Sequence, residues 1–439
     1  MRGVGPVADV FIALTILAGA LMLLLVVYQN VLLFTHTEIV SERPPRLSET
    51  LAIPGVNPVI PVGYGLFALL VALVIHEGGH GVLARHAEMK VKSLGLLFLV
   101  IPVGAFVEPD EAHLQDSSLR QKLRLFSAGP GPNIVLAMIC VLAFAQVFTP
   151  AMAPQHEGVA MLNVIEGLPA EQAGLEAGMF ITGIDGKDVR SYADFQNILL
   201  ERQAEEGEDP AMLPVQYWQR GETGTATIVP LDKYAYYKDR GFTDEQLESA
   251  CTNQQGQDTC RGVPFLGVTP AGPNELSNLT ANFQHPFEQQ GLARGSLFYV
   301  AMPFANLQPF PDTFHDIFTP TGTFEGWGDA FWITANTLYW LFWINIVLGT
   351  FNALPFWVLD GGHMFRQSLH WFLRRRKGIK TEDLTVLDAE DGAPHYIGKD
   401  PATQERLDEV DETAGVISRT LTVTMLILIL APLLVPQFL

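Results

Sequence analysis

The sequence predicts an α-helical polytopic membrane protein of about five spans, with a re-entrant β-hairpin and an inserted extracytoplasmic α+β domain. Of its 439 residues, 48% are hydrophobic and only 17% are charged, a balance that is unusual for a soluble protein. The apolar residues are concentrated in five runs that carry no charge. Between the third and fourth runs, residues 155–326 have the more polar composition of a water-exposed region.

Each apolar run is long enough for a helix that crosses a bilayer, which needs roughly 20 residues. One run by itself could be a buried core helix. The first could be a signal sequence, but it is too long and lacks a small-residue cleavage site. Five runs together predict a multi-pass protein of the cell membrane, in contact with the lipid bilayer. The runs are residues 10–37, 51–75, 125–155, 330–359 and 421–439.

Basic residues beside these runs predict the orientation, because the cytoplasmic flanks of membrane spans are enriched in Lys and Arg. With five spans and a cytoplasmic N-terminus, all four basic clusters fall on the cytoplasmic side. The domain between the third and fourth spans is then extracytoplasmic. The clusters are Arg2; Arg85, Lys90 and Lys92; Arg120, Lys122 and Arg124; and the five basic residues within 374–380.

Charge and cysteine content limit the chemistry of the polar regions. The formal net charge of −20 argues against nucleic acid as a partner. Cys251 and Cys260 flank a short polar loop and form a disulfide if that loop faces an oxidising side; otherwise they are two unrelated thiols. Cys140 lies in an apolar run, where a thiol packs as a small hydrophobic group.

The composition divides the chain into seven segments. The acidic, polar segment before the last span is predicted to be a partly disordered cytoplasmic linker. In chain order, the segments are a first span with an outer loop (1–50), the first part of a membrane core (51–154), the inserted domain (155–275), an outer interfacial segment (276–326), the second part of the core (327–377), the acidic linker (378–414) and the last span (415–439).

Two segments predict β-structure. Residues 93–107 (SLGLLFLVIPVGAFV) are apolar but too short to span a bilayer, and Gly95, Pro102 and Gly104 interrupt them. They predict a hairpin that enters the membrane, which is allowed only where protein or water covers the backbone. In the inserted domain, alternating residues predict strands at 158–164 and 215–218, and a helix is predicted over 192–202.

The strongest indication of a catalytic metal site is His76-Glu77-Gly78-Gly79-His80, an HExxH pattern at the end of the second apolar run. On a helix, residues four apart share a face, so both imidazoles can bind one metal ion while Glu77 serves as general base. Zinc bound in this way keeps a position open for water and lowers the pKa of that water towards ~7. Ionisable residues within a span are costly, which favours a functional role over a structural one.

A third metal ligand is expected from another span. Asp360 lies at the end of the fourth apolar run, and the orientation derived above places it on the same side of the membrane as the HExxH pattern. His363 is the competing ligand. We prefer Asp360 and expect His363 to lie in the second shell or at the interface.

The HEGGH pattern and the later NALPFWVLDG segment (352–361) resemble the two signature motifs of the site-2 protease family of intramembrane zinc metalloproteases. The segment 129–133 (GPGPN) resembles the GPxxN segment of the same family, and 93–107 resembles its membrane hairpin. The phrase GLPAEQAGLEAGMFITGIDGKD (167–188) resembles a PDZ domain, which many members carry at this place. An unrelated α/β insertion is the alternative for that domain.

The resemblance implies a role for each matching residue. One Zn²⁺ would be bound by His76, His80 and Asp360, and Glu77 would activate a water molecule. Asn352 and Asn133 would line the site and support the substrate or the oxyanion; the alternative for both is helix–helix hydrogen bonding.

The implied function is zinc-dependent cleavage of transmembrane segments in membrane-tethered, regulatory protein substrates, as in regulated intramembrane proteolysis. A peptide ligand of the PDZ domain is a further expected partner. The alternatives are a catalytically inactive membrane scaffold that acts through its PDZ domain and a metal transporter, since intramembrane His and Asp also mark ion pathways. Transport usually needs several metal sites along a path, and the sequence has one such cluster.

Overall fold

In a computed structural model of the chain, the described residues are 4–35, 53–86, 91–98, 102–109, 117–205, 208–253, 256–305, 308–387 and 395–435. They form two units. The helical unit comprises Met1–Leu142, Pro303–Leu307 and Thr337–Leu439, and the sheet unit comprises Ala143–Met302 and Gln308–Asn336.

The helical unit begins with two long apolar helices and a hairpin, followed by a short amphipathic helix and a third apolar helix. A capping box of Ser118 and Gln121 starts the short helix. The third apolar helix continues through a π-helical turn and a 3₁₀ turn to Ala151. These elements are α1 (Val4–Thr35), α2 (Val62–His86), β1 (Val91–Phe98), β2 (Pro102–Pro109), α3 (Leu119–Ser127) and α4 (Pro130–Ala143).

The hairpin of β1 and β2 lies where a hairpin was predicted. The two strands are antiparallel, with Gly95 opposite Phe106 and Leu97 opposite Gly104. Strand β2 contacts α2, the helix that carries the HExxH pattern. Residues 99–101, within the predicted hairpin segment 93–107, lie outside the described residues, and entry of the hairpin into the membrane stays a prediction.

The sheet unit is built on strands and short helices. Its strands are β3 (Met152–Pro154), β4 (Val159–Val164), β5 (Phe180–Ile184), β6 (Lys187–Asp188), β7 (Leu213–Gln219), β8 (Glu222–Ile228), β9 (Leu231–Asp232), β10 (Pro264–Phe265), β11 (Val268–Ala271) and β12 (Phe318–Pro320). Its helices are α5 (Pro169–Gln172), α6 (Tyr192–Glu201), α7 (Lys233–Asp239), α8 (Asp244–Cys251), α9 (Pro273–Gln284), α10 (Pro286–Ala301) and α11 (Asp312–Ile317).

The main sheet has the strand order β11-β4-β5-β7-β8, with β6 paired to β5. The turn between β5 and β6 is an Asp-Gly pair in which both Asp185 and Gly186 have positive φ (53° and 75°). This combination is typical of a tight hairpin turn and explains why the sequence turns back at this point. Helix α6 covers the predicted helix almost in full, and the side chain of Ser191 caps its first turn by accepting a hydrogen bond from the N–H of Asp194.

In the described part of residues 231–263, the chain forms a small closed insertion that none of the sequence patterns discussed above predicts. Strand β9 pairs with β10 at its base, and helices α7 and α8 lie between them. Cys251 and Cys260 form a disulfide, with their Cα atoms 5.4 Å apart. Both cysteines are buried beside Leu247, Tyr234 and Tyr237 in a small apolar cluster.

The chain ends with α12 (Asp329–Asn352), α13 (Asp360–Arg376), β13 (Leu384–Leu387), β14 (His395–Gly398) and α14 (Pro401–Leu434). Five helices in the described part of the chain are long and apolar enough to cross a membrane, so the prediction of about five apolar helices is confirmed. They are Gly5–Thr35, Val62–His86, Pro130–Ala151, Asp329–Asn352 and Pro401–Leu434. The direction in which each crosses the membrane stays a prediction.

The predicted acidic linker 378–414 needs correction. A hairpin of β13 and β14 occupies part of it, and α14 begins at Pro401, so the boundary placed at 414 falls inside a continuous helix. The physical reason is an apolar stripe among the charges. Leu407 and Val410 lie on one face of α14 and are buried against Ile379 and Leu384, while the acidic residues face outward.

Candidate metal centre

The two histidines of the HExxH pattern project from one face of α2. Their rings are 5.1 Å apart between centroids, as expected for residues one turn apart on a helix. His76 is buried, with 7% of its surface exposed, and His80 is half-buried. The first two requirements of a metal site, two imidazoles on one face and restricted access of water, are therefore met.

Asp360 reaches both rings from another helix. Its Oδ2 lies 3.1 Å from Nε2 of His76, and its Oδ1 lies 3.4 Å from Nε2 of His80. Asp360 is the first residue of α13 rather than the last of the fourth apolar helix, which ends at Asn352. A carboxylate is favoured at this position because the N-terminus of a helix carries partial positive charge.

A close turn brings α13 back against the end of α12. A Cβ atom on Gly361 would lie 2.0 Å from the carbonyl oxygen of Ala353, so only glycine fits after Asp360. Pro355 lies within the turn and, having no N–H, cannot continue the α12 hydrogen-bond ladder. The turn places Asp360 beside His76 and His80, although Asp360 is far from these histidines in the sequence.

The arrangement of donor atoms fits a zinc ion. The candidate ligand atoms of His76, His80 and Asp360 all lie within 4.8 Å of one another. Ligands at about 2.0–2.1 Å from a tetrahedral zinc ion are roughly 3.3 Å apart, close to the two observed nitrogen–oxygen distances. Two imidazole lone pairs and a carboxylate repel one another unless a cation lies between them or the rings are protonated.

The second nitrogen of His80 is held by the backbone. Nδ1 of His80 lies 2.9 Å from the carbonyl oxygen of Leu125, which is an acceptor only. Nδ1 must therefore carry a proton, which leaves Nε2, the nitrogen nearer Asp360, as the one that can bind a metal ion. Metal-binding histidines commonly donate their second ring N–H in this way, which fixes both tautomer and ring orientation. Nδ1 of His76 is buried and has no hydrogen-bond partner among the described residues.

Two glycines shape the metal centre: Gly129 leaves space beside the ligand nitrogens, and Gly79 allows two backbone segments to pack closely. A Cβ on Gly129 would lie 2.4 Å from Nε2 of His76 and 2.5 Å from Nε2 of His80, in the space beside both ligand nitrogens. A Cβ on Gly79, within the HExxH pattern itself, would lie 1.9 Å from the carbonyl oxygen of Ala128. Helix α2 and the turn at 128–130 therefore approach each other too closely for any side chain at position 79.

Glu77 follows the first histidine on α2 and is half-buried. It is close enough to His80 to interact with it electrostatically. A carboxylate in this place can take up a proton from a water molecule held at the same site.

The two predicted support residues differ in what the structure places around them. The side-chain amide of Asn133, on α4, is fully buried and its Nδ2 donates a hydrogen bond of 3.3 Å to the carbonyl oxygen of Ala72 on α2. Ala72 lies one turn before His76, so Asn133 joins the third apolar helix to the metal-site helix. Its Oδ1 accepts no hydrogen bond from the described residues. Asn352 is the half-buried last residue of α12.

His363, the competing third ligand, points elsewhere. Its ring stacks on Phe126 of α3, with centroids 4.9 Å apart and ring planes inclined by 10°. The structure therefore groups Asp360, and not His363, with the two histidines of α2.

Sequence reasoning missed Leu125, which contributes a backbone carbonyl that no residue type could have indicated. It also missed the packing roles of Gly79 and Gly129. One signal was available: two adjacent glycines, Gly78 and Gly79, in a helix cost about 1 kcal/mol each relative to alanine, which suggests a close approach.

The fold and the centre define a membrane protein with the HExxH site of a metalloprotease. Comparison with known families agrees: the model of peptidase family M50 matches residues 64–387, about three quarters of the chain. The chain therefore belongs to peptidase family M50, the site-2 protease family. The resemblance inferred from HEGGH and NALPFWVLDG is confirmed, and zinc is the cofactor that this membership and the grouped ligands indicate.

Individual relatives have low sequence identity to this chain, but the similarity extends over most of its length. The chain is 24% identical over 81% of its length to an uncharacterized protein of Methanocaldococcus jannaschii, of which it covers 68%. It is 24% identical over 71% of its length to a protein of Clostridium perfringens named "putative zinc metalloprotease", of which it covers 89%. It is 21% identical over 68% of its length to metalloprotease MmpA of Caulobacter vibrioides, of which it covers 83%.

Proposed function

We propose that this metalloprotease is an intramembrane endopeptidase that hydrolyses peptide bonds within transmembrane segments of membrane-tethered regulatory proteins. The observation that carries the proposal is that His76 and His80, on a helix of membrane-spanning length and composition, meet Asp360, which begins the helix after another such helix. Ionisable groups in such helices are costly and mark functional sites.

In this proposal, Nε2 of His76, Nε2 of His80 and the carboxylate of Asp360 hold the zinc ion. Zinc, when bound, supplies Lewis acidity that lowers the pKa of water towards ~7 and polarises a carbonyl group. Glu77 accepts the proton of the attacking water and delivers it to the leaving amine. Asn133 and Asn352 support the substrate backbone or the oxyanion. The hydrogen bond from Asn133 to Ala72 indicates that Asn133 also joins two helices.

A substrate helix must unwind before it can be cut, because its carbonyl groups are already hydrogen-bonded. The unwound backbone then needs new partners. Strands β1 and β2 pair only with each other among the described residues, so each has a further edge, and both contact the metal-site helix. We assign to this hairpin the binding of the unwound substrate by strand addition.

The first test is metal removal from the purified full-length protein in detergent, with a peptide that contains a transmembrane sequence as substrate. The proposal predicts about one zinc per chain, loss of cleavage after chelation and recovery on addition of zinc. Mass spectrometry of the fragments locates the cut, which must fall inside the apolar segment. Cleavage that persists in a zinc-free sample, or cuts confined to polar flanks, would contradict the proposal.

The sheet unit is assigned the role of an extracytoplasmic PDZ domain that selects substrates. Strand β11 lies at the end of the sheet, so one of its edges is open to an added peptide strand. Just before it, the backbone N–H groups of Leu266 and Gly267 donate to no acceptor among the described residues. Adjacent unpaired N–H groups beside an open strand edge can bind a peptide carboxylate.

This assignment predicts that removal of residues 158–270 broadens the range of substrates cut. The ends of the excised segment lie side by side, because Ala160 pairs with Ala271 in the sheet, so a short glycine linker can close the gap. Substrates with intact, bulky outer domains are expected to be cut by the deletion variant and spared by the parent protein. Zinc content measured in parallel shows whether the core is intact; unchanged selectivity with normal zinc content counts against substrate selection.

A further inference from the structure

Helix α3 and the turn after it form one support for the metal centre. Over a few residues they supply the Leu125 carbonyl that accepts the His80 N–H, the Ala128 carbonyl that packs against Gly79, and Gly129 beside both ligand nitrogens. The orientation of His80 therefore depends on where α3 is held.

Helix α3 is held by the first apolar helix. The carboxylate of Asp9 on α1 accepts two hydrogen bonds of 2.8 Å from Nε and Nη2 of Arg124. It also accepts hydrogen bonds of 3.1 Å and 2.5 Å from Nε and Nη2 of Arg120. Paired two-point contacts of this kind fix direction as well as distance. Arg124 immediately precedes Leu125, so the contact with α1 lies one residue from the carbonyl that orients His80.

The same helix packs against other parts of the centre. Ala8 is buried with Leu83 of α2 and Ala128. A Cβ on Gly19 would lie 2.4 Å from the carbonyl oxygen of Ala353, in the turn that delivers Asp360. Helix α1 thus touches the supports of His80 and of Asp360, although it lies outside the residues that match the family model.

We infer that Asp9 and Arg124 are positioning residues of the metal centre: their ion pair fixes the end of α3, and the Leu125 carbonyl then holds His80 with Nε2 directed at the metal. The inference rests on the proposed function, because it requires zinc at this site. It also gives a reason for an aspartate within a span-length apolar helix, where an unpaired carboxylate would be costly.

Arg120 provides a matched comparison within the same ion pair. Both arginines contact Asp9, but the side chain of Arg120 is 69% exposed and lies a turn farther from Leu125, whereas that of Arg124 is 24% exposed. Exposed ion pairs contribute little. A positioning role therefore predicts unequal effects of the two arginines, whereas a general contribution of charge predicts similar effects.

The test compares zinc affinity, by chelator competition, and the visible spectrum of the cobalt-substituted protein in full-length Asp9→Asn, Asp9→Glu, Arg124→Gln and Arg120→Gln. Loss of an outer-shell contact typically weakens metal binding by roughly 10–100-fold, and we expect about tenfold for Asp9→Asn and Arg124→Gln. The cobalt spectrum should shift in both, because it reports ligand geometry. Asp9→Glu should restore most of the affinity, and Arg120→Gln should change it less than about threefold.

Wild-type affinity and an unshifted cobalt spectrum in Asp9→Asn would overturn the inference, as would equal effects of Arg124→Gln and Arg120→Gln. If Asp9→Asn does not fold, the comparison of the two arginine variants decides. A wild-type protein that binds neither zinc nor cobalt would instead overturn the proposed function, so the two failures are distinguishable.

Discussion

Replacement of Glu77 by Gln is expected to lower the rate of peptide-bond hydrolysis by about 10²–10⁴-fold while the protein keeps its zinc. The magnitude is that of a lost general acid–base catalyst. Zinc is retained because the ligand nitrogens and the Asp360 carboxylate are untouched, and Gln preserves the size of the side chain. The measurement is cleavage of a transmembrane peptide by wild-type and variant protein at matched zinc content.

This variant also separates the enzyme from a catalytically inactive scaffold. Comparison of membrane proteomes from cells with wild-type protein and with Glu77→Gln should show tethered precursors that accumulate only in the variant. An unchanged proteome and an unaffected phenotype would favour the scaffold. Cleavage at the wild-type rate by zinc-loaded Glu77→Gln would remove Glu77 from the proposed mechanism.

Replacement of Asp360 by Asn is expected to cost the protein its zinc and with it all cleavage. The change keeps the shape of the side chain but removes the charge that lies 3.1 Å and 3.4 Å from the two ligand nitrogens. The affinity should fall by more than the roughly 10–100-fold that is typical of outer-shell contacts. Zinc per chain, measured by atomic absorption after dialysis, gives the result directly.

His363→Asn is the control for this experiment, because His363 is the other residue of α13 that sequence reasoning considered. Its ring stacks on Phe126, so the variant should keep zinc and lose only packing. The opposite pattern, with zinc lost in His363→Asn and kept in Asp360→Asn, would show that the third ligand had been assigned to the wrong residue.

The ligand candidates could be predicted from the sequence because residue types and their spacing indicate them. The i, i+4 spacing of His76 and His80 places both rings on one face of any helix. Asp360 followed from the side of the membrane that the basic clusters define. Leu125 and Asp9 could not be found in this way: the first acts through a backbone carbonyl, and the second acts through contacts with residues more than 100 positions away.

The elements of the fold likewise differ in whether the local sequence indicates them or tertiary contacts are needed. Long apolar runs predict helices because a span must satisfy its own backbone hydrogen bonds. The structure of the acidic segment before the last run was harder to predict, because its composition resembles that of a linker. Leu407 and Val410 nevertheless have helical spacing and bury one face of α14. The closed insertion at 231–263 depends on the pairing of β9 with β10, a tertiary contact that neither strand indicates alone.

The bridge between Cys251 and Cys260 bears on the compartment in which the sheet unit works. Disulfides persist in oxidising surroundings and are rare where glutathione and thioredoxin keep thiols reduced. A stable bridge at this position would therefore put the sheet unit outside the cytoplasm. The asymmetric distribution of lysine and arginine predicts the same side by unrelated chemistry, so a redox measurement on two sulfur atoms can check a topology that was derived from charge.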